Sequence, residues 1–269
     1  MESATRSQDD EETDLQGLRV LITGATSGLG LAMARALTGC GATVAVGSRD
    51  RDRAAATALL LDRGSGHSFG VALDVRDERS VADGVASALL QAGGIDVLVN
   101  NAGIGMRAVN PDFLSRPQPF WQVPPENFRD SIATNLTGYF LTARAVVPHF
   151  LERGSGRIVN ISMNHETMVR RGFVPYGPSR AGAEALSHIM AEDLRDSNVT
   201  VNMLLPGGAT RTGMVPGADA AARTLLDPAI MSGPICWLCS EAARGVTDQR
   251  IVASDFPNWL RSFTGTQGR

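Results

Sequence analysis

The stretch Leu18-Arg19-Val20-Leu21-Ile22-Thr23-Gly24-Ala25-Thr26-Ser27-Gly28-Leu29-Gly30 decides how the rest of the chain is read. Its first six residues are short and mostly apolar, as a strand buried on both faces would be. Gly24, Gly28 and Gly30 punctuate the next seven residues, and Leu29, Met33 and Leu37 then recur at helical spacing. Glycines in such a turn let the backbone bend tightly and approach a pyrophosphate closely. The helix that starts there offers free N–H groups and a positive dipole end to phosphates. An ordinary structural turn would use one or two glycines. The strand–turn–helix context favours a dinucleotide site built from Gly24, Thr26, Ser27, Gly28, Leu29 and Gly30.

Outward from this unit, strand and helix patterns alternate. Short apolar strands are expected over 43–46, 68–73, 95–100, 157–162, 200–205 and 250–253, with helices from 51 and over 80–90, 126–152 and 178–195. Short, nearly all-apolar strands separated by helices predict an α/β fold: a doubly wound, Rossmann-type parallel sheet of about seven strands with helices on both faces. No break in composition marks a second domain. Residues 1–16 are expected to be a flexible acidic tail, and residues 17–269 one domain.

The chain has 269 residues, 43 % of them apolar, and a net charge of −3 with both signs scattered along it. That leaves no basic stripe for nucleic acid or an anionic membrane. No apolar run approaches the roughly 18 residues of a membrane span. The polar, acidic N-terminus has the make-up of neither a signal nor a transit peptide, so a cytoplasmic location is expected. Cys236 and Cys239 have CxxC spacing, but Ile235, Trp237 and Leu238 surround them and no second pair follows. Helix packing is therefore expected of them, with no metal site, and Cys40 reads as a helix-end residue. All 25 basic residues are Arg.

Three further segments carry a family resemblance: Asn100-Asn101-Ala102-Gly103 closing the fourth strand, Tyr176 four residues before Arg180, and Pro206-Gly207 closing the sixth. In this order and with the glycine turn, they resemble the short-chain dehydrogenase/reductase family over residues 18–253. The resemblance implies hydride transfer between a nicotinamide cofactor and a small ketone or secondary alcohol. It puts Asn101, Ala102 and Gly103 on the adenine and ribose side of the cofactor, with Asp74 and Val75 near the adenine. Pro206, Gly207 and Thr212 fall on the nicotinamide side, with Thr210 as the second choice for the threonine.

The end of the second strand bears on cofactor choice. An acidic residue there would accept from a ribose 2′-OH and repel a 2′-phosphate. Ser48 fills that slot, and Arg49 comes next as a partner for a phosphate, so NADP(H) is expected over NAD(H). The competing reading makes residues 49–53 a solvated helix start capped by Asp50.

Tyr176 is the candidate acid/base. Phenols ordinarily titrate near about pH 10, so its anion needs stabilising before it can exchange a proton with a substrate oxygen at neutral pH. Pro178 suits a first helical turn, which puts Tyr176 at a positive helix end with Arg180 one turn on. The family has Lys where Arg180 stands; Arg supplies charge and donors but does not pass a proton on. The family also has a catalytic Ser thirteen residues before the Tyr, where this chain has Met163. Ser162 is one step earlier, and one step along a strand reverses the side chain's direction. Either the strand end bulges so that Ser162 reaches the site, or Asn164 or His165 does the work. Asn135 resembles the helix Asn that anchors a relay water in the family, and a buried structural amide is the alternative.

Residues 107–125 hold Pro111, Pro117, Pro119, Pro124 and Pro125 with Phe113, Phe120 and Trp121. A loop so stiffened either covers a substrate or packs against a partner subunit. Residues 215–226 read as a substrate-binding lobe or as core. Homodimers or homotetramers are expected from the resemblance, through helices 126–152 and 178–195, where Ala181, Ala183 and Ala185 would permit close approach. The departures at 163 and 180 keep two alternatives open: a non-redox cyclase, dehydratase or epimerase, and a dinucleotide-binding protein with little activity.

Overall fold

The computed structural model describes residues 13–62, 65–215 and 225–267. Seven strands, β1 (Arg19–Thr23), β2 (Thr43–Ser48), β3 (His67–Ala72), β4 (Val97–Asn100), β5 (Gly156–Ile161), β6 (Val199–Leu205) and β7 (Arg250–Val252), form one sheet. Its order is β3-β2-β1-β4-β5-β6-β7, and every neighbouring pair is parallel. Winding reverses between β1 and β4, which opens a crevice beyond the carboxyl ends of those strands.

Although β1 is apolar over most of its length, its side chains divide between two cores. Val20 and Ile22 pack with α1 (Gly28–Gly39) and α8 (Ser232–Cys239), while Leu21 packs against α3 (Glu78–Ala92) and α5 (Gly138–Arg153). Helices thus cover both faces, as an all-parallel sheet requires. The remaining helices are α2 (Arg51–Leu61), α4 (Pro125–Ile132), α6 (His165–Met168), α7 (Tyr176–Asp193) and α9 (Phe256–Gln267).

Four expectations need correction. The helix expected over 126–152 is α4 and α5 joined by a π-helical turn, Ala133–Thr137. That widened turn carries Asn135, whose side chain is fully buried. The helix expected from 178 begins at Tyr176 itself. Leu15, assigned to the tail, is buried in the core, and its N–H donates to the Cys40 carbonyl at 2.8 Å. An isolated leucine in an acidic stretch gives no periodic signal, yet it covers apolar surface at the foot of the sheet. Cys40 is more than a helix end, because its sulfur lies 3.5 Å from that of Cys236. Burial pushes the Cys236 thiol well above its usual range and Cys239 up to about 12. Most of the lobe expected at 215–226 lies outside the described residues.

Candidate active site

A cavity of about 530 Å³ opens at the carboxyl edge of the sheet. One end is formed by the glycine turn. Gly24 has φ +67°, and a Cβ there would lie 2.8 Å from Ala102 Cα, so only glycine fits. Gly30 is as constrained: a Cβ would meet Asn101 Nδ2 at 2.4 Å. That amide donates to the Thr23 and Gly24 carbonyls, both at 3.0 Å. Thr23 Oγ1 in turn accepts from the N–H groups of Asn101 at 3.0 Å and Ala102 at 3.1 Å. Asn101 therefore holds the turn in shape, and Thr23, which no motif marks, ties it to the end of β4. The Ser27 side chain makes no cap hydrogen bond to α1, so the first-turn N–H groups are not claimed by it. Thr26, Ser27, Gly28, Leu29, Ala102 and Gly103 line the cavity beside this turn.

The far end of the crevice is cationic. Ser48, Arg49, Arg53, Asp74, Val75 and Arg76 line it. Asp50 does cap α2, accepting from Arg53 N at 3.0 Å, but that leaves both Arg49 and Arg53 on the cavity wall. Arg76 grips Asp74 through two side-chain hydrogen bonds, at 3.1 and 2.9 Å, and so holds its carboxyl below the usual range. At the other end Pro206, Thr210 and Thr212 line the wall, and a Cβ on Gly28 would lie 3.2 Å from Thr212 Cγ2. Thr212 thus stands against the glycine turn. Gly207 supplies a carbonyl to Asn164 Nδ2 at 3.0 Å.

Tyr176 opens α7 on the cavity wall, and Arg180 is buried one turn below, 2 % exposed. Its Nη1 donates to Tyr139 Oη at 2.5 Å and to the Ile161 carbonyl at 2.9 Å. The guanidinium carbon sits 5.5 Å from the Tyr139 ring centre and 5.4 Å from that of Tyr176. A Cβ on Gly103 would come within 2.3 Å of Nη2, so a side chain there would displace the guanidinium. Burial works against the charge, but the two phenols override it and raise the pKa above the ordinary Arg value. Nε is buried without a hydrogen-bond partner. Tyr139 also donates to the Ile161 carbonyl at 3.1 Å, closing a compact Tyr139–Arg180–Ile161 cluster.

Ser162 lies on the cavity wall, but its hydroxyl is taken by another partner. It donates to the Glu184 carboxylate, which also takes Arg250 Nε at 2.9 Å and His165 Nε2 at 2.8 Å. Arg250 Nη2 fixes the Met163 carbonyl at 2.8 Å. With its neighbours clamped in this way, the Met163 side chain enters an apolar cluster with Met106, Phe113, Met168 and Phe173, against which Tyr176 packs. His165 is 66 % exposed in its side chain and is absent from the cavity wall; Asn164 and Thr167 are on it. Asn135 exchanges hydrogen bonds with the Ile104 backbone at 2.9 and 3.0 Å and donates to Ser179 Oγ at 3.0 Å. It thereby ties the π-turn to α7 and to the segment that borders Gly103.

Residues 19–222 match the family model described as short chain dehydrogenase. The chain belongs to that family. It is 32 % identical over 268 residues to 3beta-hydroxysteroid dehydrogenase 1 of Eggerthella lenta, covering 95 % of this chain and 99 % of the relative. Among solved structures, a gluconate 5-dehydrogenase from Burkholderia cenocepacia in complex with NADP and tartrate superposes with a TM-score of 0.80 at 28 % identity. The match covers 92 % of this chain and 98 % of that one. A 3-ketoacyl-(acyl-carrier-protein) reductase from Brucella melitensis complexed with NADH gives a TM-score of 0.77, 28 % identity and coverages of 89 % and 97 %. This short-chain dehydrogenase is accordingly an NAD(P)-dependent oxidoreductase acting on CH–OH or C=O groups.

The loop expected to cover a substrate or meet a partner divides its aromatic residues. Phe113 is buried on the cavity wall, edge-on to Phe173 with 5.6 Å between ring centres. Phe120 and Trp121 are 67 % and 72 % exposed. Tyr139 and Glu184, which hold Arg180 and Ser162, carry no motif signal. The unusual Arg180 itself was the available clue, since a buried guanidinium demands acceptors.

Proposed function

We propose that this dehydrogenase transfers hydride between NADP(H) and a small ketone or secondary alcohol, with Tyr176 as the proton donor and acceptor. The observation that carries the reading is Tyr176 at the start of α7, on the wall of the same cavity as the glycine turn. A nicotinamide dinucleotide fits that crevice, because Gly24 and Gly28 keep it free of side chains where a pyrophosphate must approach backbone N–H groups. When bound, the cofactor supplies or takes the hydride. The protein's own residues do the rest. Thr212 and Pro206 border the nicotinamide end, and Gly103 with Arg180 borders the ribose.

In the reducing direction Tyr176 Oη gives its proton to the substrate oxygen, and Arg180, with its charge over the ring, stabilises the phenolate left behind. Arg180 holds that charge without relaying the proton onward. Since Ser162 is committed to Glu184, we assign the holding of the substrate oxygen to the second N–H of Asn164 Nδ2, whose first is fixed on Gly207. Asn135 positions α7 through Ser179.

NADP(H) is favoured because Arg49 and Arg53 line the adenosine end, and neither guanidinium hydrogen-bonds a described residue. Titrating wild type and Arg49→Ala with NADPH and NADH tests this. The variant is expected to lose about fivefold or more in NADPH affinity and little for NADH; equal NADPH affinity in the two proteins refutes the preference. We further propose homo-oligomers in a cytoplasmic protein. On α7, Ala181, Ala185 and Ile189 recur every fourth residue on the exposed face, whereas Ala183 points into the core.

A further inference from the structure

We infer that the carbonyl substrate is an anion with an apolar body, and that Arg170 binds its charged end. This rests on the reading of the cavity as a carbonyl-reducing site. Around Tyr176 the wall is mostly apolar: Met106, Phe113, Met163 and Phe173 are each less than a tenth exposed, Leu114 and Met214 add to it, and Ser162, Asn164 and Thr167 are its uncharged polar members. A chamber of that make-up favours a hydrocarbon chain or ring, through burial worth about 25 cal/mol per Å². Met163 adds its side chain to that apolar surface, against which Tyr176 packs.

Among the described residues, charge in that half of the cavity is confined to two guanidinium groups. Arg180 is buried and occupied by Tyr139 and Ile161. Arg170 is exposed at the rim, and no carboxylate pairs with it among the described residues. The charged residues at the adenosine end, Arg49, Arg53, Asp74 and Arg76, lie beyond the glycine turn. No Asp or Glu lines the substrate half among the described residues, so a cationic substrate would meet repulsion and an anionic one would not.

Arg170 is also held in place. Its N–H donates to the Thr167 carbonyl at 3.3 Å, and its carbonyl accepts from Phe173 N at 3.2 Å, forming the turn that feeds α7. Its guanidinium carbon stands 5.4 Å from the centre of the Phe173 ring. Contact with a ring uses the face of the guanidinium and leaves its five N–H donors free at the edge. Phe173 belongs to the cluster on which Tyr176 packs. Arg170 and the acid/base phenol thus border the same apolar cluster, so a substrate needs a short apolar spacer between its carbonyl and its carboxylate, sulfonate or phosphate.

The test compares two ketones that differ only in the anion: 3-benzoylpropionate and butyrophenone. Binding of each to the NADP⁺-loaded protein is measured by calorimetry, and turnover is followed with NADPH. Wild type and Arg171→Met, an exposed neighbour, should bind the keto acid about tenfold more tightly than the ketone. Arg170→Met should bring the two within about twofold, and Arg170→Lys should recover part of the difference. No preference for the keto acid in wild type, a preference that survives in Arg170→Met, or no keto-acid binding at millimolar concentration overturns the inference. Arg170-dependent binding without turnover of either ketone leaves it standing and overturns the redox reading instead.

Discussion

Replacing Arg180 with lysine should damage this protein rather than improve it. The guanidinium makes two hydrogen bonds from a fully buried position, to Tyr139 at 2.5 Å and to Ile161 at 2.9 Å. Hydrogen bonds to charged groups contribute about 1.5–3 kcal/mol each, so losing both would cost about 3 kcal/mol at the lower end. One gain offsets this, because Nε is buried without a partner and lysine has no such group. Removing an orphaned donor returns about 1 kcal/mol. The net cost is then about 2 kcal/mol, which for a domain of this size lowers Tm by roughly 4–8 °C. Calorimetric unfolding of wild type, Arg180→Lys, Tyr139→Phe and the double variant measures it directly. The two single changes should be coupled by about 1 kcal/mol or more, because they remove the same contact. Turnover should fall in parallel, since the compact ammonium has no planar face to lay over the Tyr176 ring. An Arg180→Lys protein as stable as wild type, and as fast or faster, would refute this reasoning. Arg180 would then be merely the lysine-free chain's substitute, with nothing rebuilt around it.

Two other outcomes are expected from neighbouring contacts. Burial works to raise the Glu184 pKa, but bonds from Ser162, His165 and Arg250 override it and hold the group below its usual range. A depressed folded-state pKa means stability that is present above the ordinary carboxylate value and lost as pH falls through the folded one. Wild type should therefore lose Tm below about pH 4.3, and Glu184→Gln should start lower at neutral pH and lose less in acid; parallel curves would contradict this. The exposed face of α7 predicts a dimer or tetramer by sedimentation at micromolar concentration, with Ile189→Glu shifting it towards monomer. A wild-type monomer there would remove the case for subunit pairing.

The fold was legible because periodicity and glycine placement are local signals. Each of the seven expected strands forms, with ends moved by one or two residues, as at β4, where residues 95 and 96 lead into the strand without joining it. The break in the long helix was not legible: Thr134, Asn135 and Thr137 are weak helix formers, but no Pro marks a stop, and Asn135's contacts with Ile104 and Ser179 lie far off in sequence. Gly24 and Gly28 could be placed from the strand–turn–helix pattern, and Tyr176 from the family resemblance. The direction of Ser162 could not, because it is set by Glu184 on α7 and Arg250 on β7, far apart in sequence. His165 was a reasonable candidate by proximity to Met163, and the same carboxylate draws it off the cavity wall. Arg170 carried no motif and becomes visible only once Phe173 and the apolar wall surround it.

The measurement that bears most directly on the proposed chemistry is single-turnover oxidation of NADPH by Tyr176→Phe beside wild type, with cofactor binding monitored in both. If Tyr176 delivers the proton, its loss should slow the chemical step by about a hundredfold or more while NADPH still binds, because the glycine turn and Arg49 are untouched. A Tyr176→Phe protein that oxidises NADPH at the wild-type rate would contradict the account, and one that converts substrate without consuming NADPH would move the reaction outside redox chemistry.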